Sequence, residues 1–289
     1  MLRFLQKNNL DIRIKNRISP DLVWRQYAKL CHAAGMRSSA FILSFDCDTD
    51  DDISAVWDVH KRLMDIGVLP AYAVPGAQLE NGADVYRRIA ETGAEFLNHG
   101  GRAHTFFDEN TGKHSSCFFY EQQTESDLES DVRLGHERVA RVIGRIPRGW
   151  RTPHFGSYQE PAHFKFLYSL LRKLDYLYSS SAMPVAALRY GPHRNVGGLH
   201  EIALTGGYST PLDNMDSWGY FMPDIGRGAD AYVESCKRLS HVAAKYPILI
   251  NIYADPCHIA GEEKFFDAIA LLTKSATPTT FEKFLQDKT

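Results

Sequence analysis

The feature that most constrains the fold is an alternation of short apolar runs with longer amphipathic segments. Short apolar runs bounded by turn residues are typical of buried strands, and apolar residues three and four apart are typical of helices. The first predicted strand is "AFILSF" at 40–45, and the first predicted helix after it is "ISAVWDVHKRLMDIG" at 53–67. The alternation of strand and helix continues to the strand "YPILINIYA" at 246–254 and a helix near 263–274. Strand–helix–strand units place strands in parallel, so the sequence predicts an α/β fold and favours a (β/α) barrel, regular or irregular, over an open sheet.

A capped helix precedes this alternation. The segment "SPDLVWRQYAKLCHAAG" at 19–35 opens on Ser-Pro and closes on Gly35, with apolar residues at helical spacing. We therefore predict a helical extension at 1–37 and a barrel domain at 38–289. The N-terminal residues lack the apolar core of a signal peptide, and no stretch is apolar enough to predict a membrane span.

Charge and cysteine content narrow the class of protein. Lysine and arginine number 33 against 35 aspartate and glutamate, a net charge of −2, so nothing predicts a nucleic acid or an anionic membrane as partner. The five cysteines are scattered and form no CxxC pair, which favours a reduced, cytoplasmic protein. No pattern indicates an oligomeric state.

Polar residues cluster at the predicted strand ends. In a (β/α) barrel the chemistry lies at the carboxyl ends of the strands, so these positions are candidates for an active site. The candidates are Asp46, Asp48, His99, His104, Arg151, His154, Asp175, His200, Glu201, Asp255 and His258.

Two histidines and one carboxylate stand out as a possible metal site. His99 and His104, with Asp48 at another strand end, form a common ligand set for a divalent transition metal. A spacing of five does not place both histidines on one helical face, but it suits a loop in which Gly100-Gly101 lets the chain turn back. The alternative is a surface loop in which two of the twelve histidines fall close by chance.

The stretch "SFDCDTDDD" at 44–52 places five aspartates within seven positions. Asp46 and Asp48 alternate along an extended segment and share one face, so one could bind a metal while the other remains free as a base. The aspartates at 50–52 fit the start of the following helix, where carboxylates interact favourably with the helix dipole.

Five motifs in order resemble the polysaccharide deacetylase family, also called the NodB-homology family or carbohydrate esterase family four. They are "SFDCDTD", "EFLNHGGRAH", "GWRTPHFG", "LDYLYSSS" and "LINIYADPCHI", and the resemblance runs from about residue 40 to about residue 285. The second motif departs from the usual histidine spacing of four, and the fourth lacks its usual tryptophan.

The resemblance implies a deformed (β/α) barrel of seven or eight units and metal-dependent removal of an N-acetyl group from an amino sugar. The substrate would be an N-acetylated sugar of a surface polysaccharide or a glycan precursor. Asp48, His99 and His104 would bind the metal, with zinc as the first choice and cobalt, nickel or iron as alternatives.

The resemblance also implies the catalytic roles. Asp46 would be the general base, Arg151 would orient it, and His258 would be the general acid. Asp175 would tune His258, although Asp255 is close enough in sequence to compete for that role.

Three other interpretations remain open on the sequence. The same site could hydrolyse non-sugar amides or cyclic ureides in the cytoplasm. The two histidines and one carboxylate could hold the iron of an oxygenase, although such sites usually lie in all-β folds. The chain could also be a catalytically silent, glycan-binding relative.

Overall fold

A computed structural model describes residues 9–287 of the chain. The strands are β1 (Ala40–Asp46), β2 (Ala71–Val74), β3 (Phe96–Asn98), β4 (Thr105–Asp108), β5 (Lys113–Ser116), β6 (Gly149–Trp150), β7 (Tyr178–Ser179), β8 (Arg194–Val196), β9 (Leu199–Glu201), β10 (Leu249–Ala254) and β11 (Thr277–Pro278). The helices are α1 (Leu10–Ile18), α2 (Pro20–Ala33), α3 (Asp50–Asp65), α4 (Gly76–Asn81), α5 (Ala83–Ala90), α6 (Glu125–Ile143), α7 (Pro161–Lys173), α8 (Pro184–Tyr190), α9 (Ser217–Phe221), α10 (Ala229–Lys245), α11 (Pro256–Ile259), α12 (Glu263–Leu272) and α13 (Phe281–Gln286).

The main sheet has the order β10-β1-β2-β3-β6-β7-β9-β8 and curls into an incomplete barrel. All neighbours in this order are parallel except β8, which runs antiparallel to β9, and the short β11 pairs with the start of β1. No strand ladder joins β9 to β10 within residues 9–287. There the Thr205 N–H donates to the Asn251 carbonyl oxygen at 2.7 Å, and the Asn251 side chain donates to the Ala203 carbonyl oxygen at 3.1 Å. The predicted (β/α) barrel is confirmed, in the deformed form.

Several elements were not predicted from the sequence. The antiparallel hairpin β4–β5 follows His104, and helices α8 and α9 lie in the connections after β7 and β9. Each is short, and the hairpin strands are half-exposed and rich in polar residues, so hydrophobic periodicity carries little signal for them.

The two N-terminal helices share the core of the barrel. Trp24 of α2 is buried, its indole N–H donates to the Tyr208 carbonyl oxygen at 2.9 Å, and its ring stacks on the Tyr208 ring at 6.5 Å between centroids. The Tyr27 hydroxyl donates to the Leu249 carbonyl oxygen of β10 at 3.0 Å. The predicted extension is therefore packed against the barrel wall rather than lying apart from it.

None of the helices in the described part of the chain has the length and apolar character needed to cross a membrane.

The burial of Trp24 gives a prediction of stability. Replacing Trp24 by alanine removes a fully buried aromatic ring and should lower the free energy of unfolding by about 3–5 kcal/mol, measured by chemical denaturation. The control is Ile146→Ala, whose side chain is exposed and whose loss should change stability by about 0.5 kcal/mol or less. Equal effects of the two substitutions would contradict the packing of α2 into the core.

Candidate active site

The strand register brings the candidate residues to one end of the barrel. Phe45 of β1 pairs with Ala254 of β10, so the residues after them, Asp46 and Asp255, leave the sheet side by side. In the same way the pairing of β3 with β6 places His99 next to Arg151. The first, second, third and fifth sequence motifs therefore meet at the carboxyl ends of the strands, as the barrel rule predicts.

Asp48, His99 and His104 converge on one point. Asp48 Oδ1 lies 2.9 Å from His104 Nε2 and 3.5 Å from His99 Nε2, and the three atoms all lie within 4.8 Å of one another. All three atoms are buried and make no hydrogen bond of acceptable geometry among the described residues. Buried polar atoms without partners are costly, whereas two imidazole nitrogens and a carboxylate oxygen are suitable zinc ligands. The arrangement therefore fits a divalent metal; the role of the three residues as ligands stays a prediction.

The backbone around these atoms orients them. His99 Nδ1 lies 2.8 Å from the Arg151 carbonyl oxygen, which can only accept, so Nδ1 carries the proton and the Nε2 lone pair faces the cluster. The Asp48 carbonyl oxygen accepts hydrogen bonds from the side chains of Thr105 at 2.6 Å and Gln78 at 3.1 Å. These backbone and side-chain hydrogen bonds fix the positions of His99 and Asp48, and the groups that make them would not contact a bound metal.

The spacing of five between the histidines has a structural cause. Gly100 adopts φ +84, and a Cβ there would lie 2.5 Å from the Asp131 carboxylate. Asp131, buried on α6, accepts hydrogen bonds from the N–H groups of Gly101 at 3.1 Å and Arg102 at 2.8 Å. The loop turns around this carboxylate and returns His104 to face His99, with 4.7 Å between the ring centroids.

Asp46 is held by a fully buried arginine. Arg151 donates from Nη1 to Asp46 Oδ1 at 2.6 Å, from Nη2 to Ser44 Oγ at 2.8 Å, and from Nε to the Ser180 carbonyl oxygen at 3.1 Å. The second oxygen of Asp46, Oδ2, lies 4.0 Å from His99 Nε2, beside the ligand cluster. Burial raises the pKa of Asp46 above its ordinary value, although the positive charge of Arg151 opposes this rise.

His258 has a carboxylate partner within its own motif. His258 Nδ1 lies 3.3 Å from Asp255 Oδ2 and 3.3 Å from Ser217 Oγ, and the Ser217 hydroxyl donates to the same Asp255 oxygen at 2.7 Å. Burial by itself would lower the pKa of His258, but the Asp255 carboxylate outweighs it and raises the pKa above its ordinary value. The pair favours an imidazolium, which is the proton-donating form.

The structure does not place Asp175, which was expected to tune His258, beside that histidine. Asp175 is exposed in the turn between α7 and β7, before the amino end of its strand, whereas His258 follows the carboxyl end of β10. Because these strands belong to one parallel sheet, the two residues lie at opposite ends of the barrel. Asp255, the alternative that the sequence left open, occupies the position beside His258.

The aspartates at 50–52 divide into two kinds. Asp50 and Asp51 are exposed in the first turn of α3, as expected for a helix start. Asp52 is buried: its Oδ2 accepts from the N–H groups of Asp48 and Thr49 at 3.1 and 3.0 Å, and its Oδ1 accepts from the Cys257 N–H at 3.1 Å. Asp52 therefore joins the loop that carries Asp48 to the loop that carries His258.

Two aromatic residues lie near the candidate catalytic groups. The exposed Trp218 lies 5.7 Å from the His258 ring, and Phe155 packs 4.6 Å from the Tyr253 ring. His154 instead packs against His104, and its Nε2 lies 2.9 Å from the Cys117 carbonyl oxygen. The half-buried His154 thus packs against the loop that carries His104.

Three buried residues that shape the site were not predicted in that role from the sequence: Ser217, Asp131 and Asp52. Asp131 and Ser217 lie on helices, far in sequence from the motifs that they contact. Only Asp52 had a local signal in the sequence. Thr49 and Asp52 have the spacing of a capping box, which they form at the start of α3.

No protein-family model matches the chain, and no curated protein matches it. Solved structures do match. A candidate polysaccharide deacetylase from Mycobacterium smegmatis is similar with a TM-score of 0.62 and 16% identity, over 86% of this chain and 89% of that one. A candidate polysaccharide deacetylase from Pseudomonas aeruginosa PAO1 is similar with a TM-score of 0.63 and 11% identity, over the same shares.

An allantoinase, Puue, is similar to the same degree. Its TM-score is 0.63 and its identity 11%, over 86% of this chain and 89% of that one. The likeness to these polysaccharide deacetylase and allantoinase structures thus extends over most of the chain. At sequence identities this low, the likeness establishes the fold alone. Proteins with different activities can have the same fold.

The convergence of the three ligand atoms gives a second prediction. Purified protein should bind one zinc ion per chain, measured by elemental analysis after dialysis, and His104→Ala should lose most of this binding because a three-residue site keeps only two ligands. The control is His241→Ala, an exposed histidine on α10, which should bind zinc as the unaltered protein does. Unchanged zinc content in His104→Ala would contradict the assignment.

Proposed function

We propose that this protein is a metal-dependent hydrolase that removes an N-acetyl group from an amino sugar of a surface polysaccharide or its precursor. The observation that carries the proposal is the buried cluster of Asp48, His99 and His104, whose facing atoms have no hydrogen-bonding partner within residues 9–287, beside an Asp46 held by Arg151. The fold shared with polysaccharide deacetylases supports it. A cytoplasmic precursor of a glycan is the substrate that fits the predicted cytoplasmic location.

Asp48, His99 and His104 are the residues that would hold the metal, and zinc suits their donor atoms best. When bound, such an ion supplies polarisation of a carbonyl and a lowered pKa of a coordinated water. The set offers three protein ligands, the number usual for a catalytic zinc site.

Asp46 serves as the general base. Arg151 occupies its Oδ1, so Oδ2 is the oxygen left to take the proton of the water that attacks the amide carbon. Its raised pKa brings the carboxylate closer to the range in which a base works well at neutral pH. Arg151 acts through Asp46 and is a positioning residue.

His258 serves as the general acid. Its Nδ1 is engaged by Asp255 and Ser217, so Nε2 is the atom that gives a proton to the leaving nitrogen. A carbon–oxygen bond forms as the carbon–nitrogen bond breaks, and acetate and the free amine are released. An amine is a poor leaving group until it is protonated, which is why the reaction needs this acid.

Hydrolysis of a cyclic ureide is the second candidate, and the similarity to an allantoinase structure favours it. The bond broken is again a carbon–nitrogen bond of an amide, so the same base and acid would serve. The two candidates differ in the product, acetate in one case and an opened ring in the other.

The function is tested by assaying acetate release from N-acetylglucosamine-containing precursors alongside ring opening of allantoin. Asp46→Asn should reduce the rate of whichever of the two reactions is observed at least about 100-fold, because general base catalysis contributes a rate factor on the order of 10²–10⁴. The variant should still bind zinc. The matched control is Asp65→Asn, an exposed position at the end of α3.

Full activity in Asp46→Asn would contradict the role of Asp46 as the general base. Activity on allantoin alone would identify the protein as a ureide hydrolase. Sugar binding without turnover of either substrate would identify a catalytically silent relative.

The contact between His258 and Asp255 predicts a change in the pH profile. The Asp255 carboxylate raises the pKa of His258, so Asp255→Asn should lower that pKa and move the alkaline limb of kcat/KM to lower pH. The matched control is Asp175→Asn, which should leave the profile unchanged because Asp175 is exposed at the other end of the barrel. A shift with Asp175→Asn and none with Asp255→Asn would reverse the assignment.

A further inference from the structure

A cavity lies on the flank of the barrel, outside the candidate active site. It has a volume of about 290 Å³ and is bordered by α7, α8 and the strand pair β8–β9. Ligand cavities in proteins start at about 300 Å³, so this one lies at the lower limit and suits only a small ligand. Among the strand-end candidates, Glu201 lines it, whereas the residues that are assigned catalytic or metal-binding roles do not.

The interior of this cavity is mainly apolar. Phe164 comes from α7, Val185 and Ala186 come from α8, and Val196 and Ala203 come from the β8–β9 region. Apolar walls gain free energy by removing an apolar ligand from water, in proportion to the area covered. The cavity therefore favours a ligand with an apolar body.

Three cations surround the cavity: Lys165, Arg172 and Arg194. All three are exposed, and within the described residues none of them forms an ion pair. Arg172 donates from Nε to the Tyr168 carbonyl oxygen at 3.2 Å, and Arg194 lies over the Tyr190 ring at 4.8 Å. None of the three is therefore held in a direct ion pair, although Arg194 lies opposite Glu201 in the β8–β9 ladder.

Glu201 is the one carboxylate among the described residues that line the cavity, and its oxygens are already engaged. Its Oε1 accepts from the N–H groups of Ser181 and Ala182, each at 2.8 Å, and its Oε2 accepts from the Tyr168 hydroxyl at 2.9 Å. With three cations and one anion, the lining carries a net positive charge. The cavity is therefore complementary to a ligand with one negative group.

We propose that this cavity binds a small amphiphilic carboxylate, with its apolar body between α7 and α8 and its carboxylate at the rim beside Arg194 and Lys165. The site does not depend on the proposed hydrolase activity. It does share the segment 180–182 with the candidate active site, because Ser180 contacts Arg151 and the next two residues hold Glu201.

The probe for this site is octanoate, titrated into the full-length protein by calorimetry. We expect saturable binding of one octanoate per chain, weaker binding of 1-octanol, which has the same chain without the charge, and none of acetate, which lacks the chain. Absence of saturable octanoate binding would overturn the proposal, and so would equal affinities for octanoate and 1-octanol.

Variants locate the site. Arg194→Gln should weaken octanoate binding about two- to fivefold, the range for loss of one exposed charge contact. Ala186→Trp should abolish it by filling the cavity. The control is Arg238→Gln, which removes an exposed arginine from α10 and should leave the affinity unchanged.

If Ala186→Trp does not fold, Arg194→Glu replaces it, and reversal of the charge should weaken binding more than Arg194→Gln does. Octanoate affinity that is unaffected by the Arg194 substitutions would place the ligand elsewhere and refute the assignment.

Discussion

The fully buried guanidinium of Arg151 is the interaction on which the rest of the candidate site depends. It donates to Asp46, Ser44 and Ser180, which belong to β1 and to the end of β7. A buried charge without partners costs several kcal/mol, so these strand ends must meet before Arg151 can be accommodated. Its own carbonyl oxygen orients His99. Arg151 therefore couples the position of Asp46, the proposed base, to that of His99, a candidate metal ligand.

Two further buried carboxylates hold the loops around this centre. Asp131 accepts backbone N–H groups of the loop between the two histidines, and Asp52 accepts N–H groups from the loops that follow β1 and β10. Such charge-assisted hydrogen bonds are among the stronger ones in proteins. The acidic stretch at 46–52 thus contains the proposed base Asp46, the candidate metal ligand Asp48, the start of α3 and the buried Asp52, which joins two loops. Its charges are distributed among different partners, which explains how five carboxylates can lie so close in sequence.

Much of the fold and part of the site could be predicted because both follow local patterns. The apolar runs predicted the parallel strands, and the polar residues after four of them, from Asp46 to His258, do lie at one end of the barrel. Asp175 was misplaced because it shortly precedes β7 in sequence and was counted among the strand-end candidates, although it lies before the amino end of that strand. Ser217 was missed because α9 is a single short helix within an irregular connection.

The sequence by itself determined the alternation of strands and helices, the kinds of side chain at the strand ends, and the glycines that allow the loop between His99 and His104 to turn. These follow from periodicity and backbone conformation, which are properties of neighbouring residues. Only the tertiary structure decided that Asp255 rather than Asp175 lies beside His258, and that Asp52 and Asp131 are buried carboxylates bonded to the backbone of neighbouring loops. Those choices depend on which strand ends meet and in what register, since contacts between distant segments leave no periodic signal in the chain.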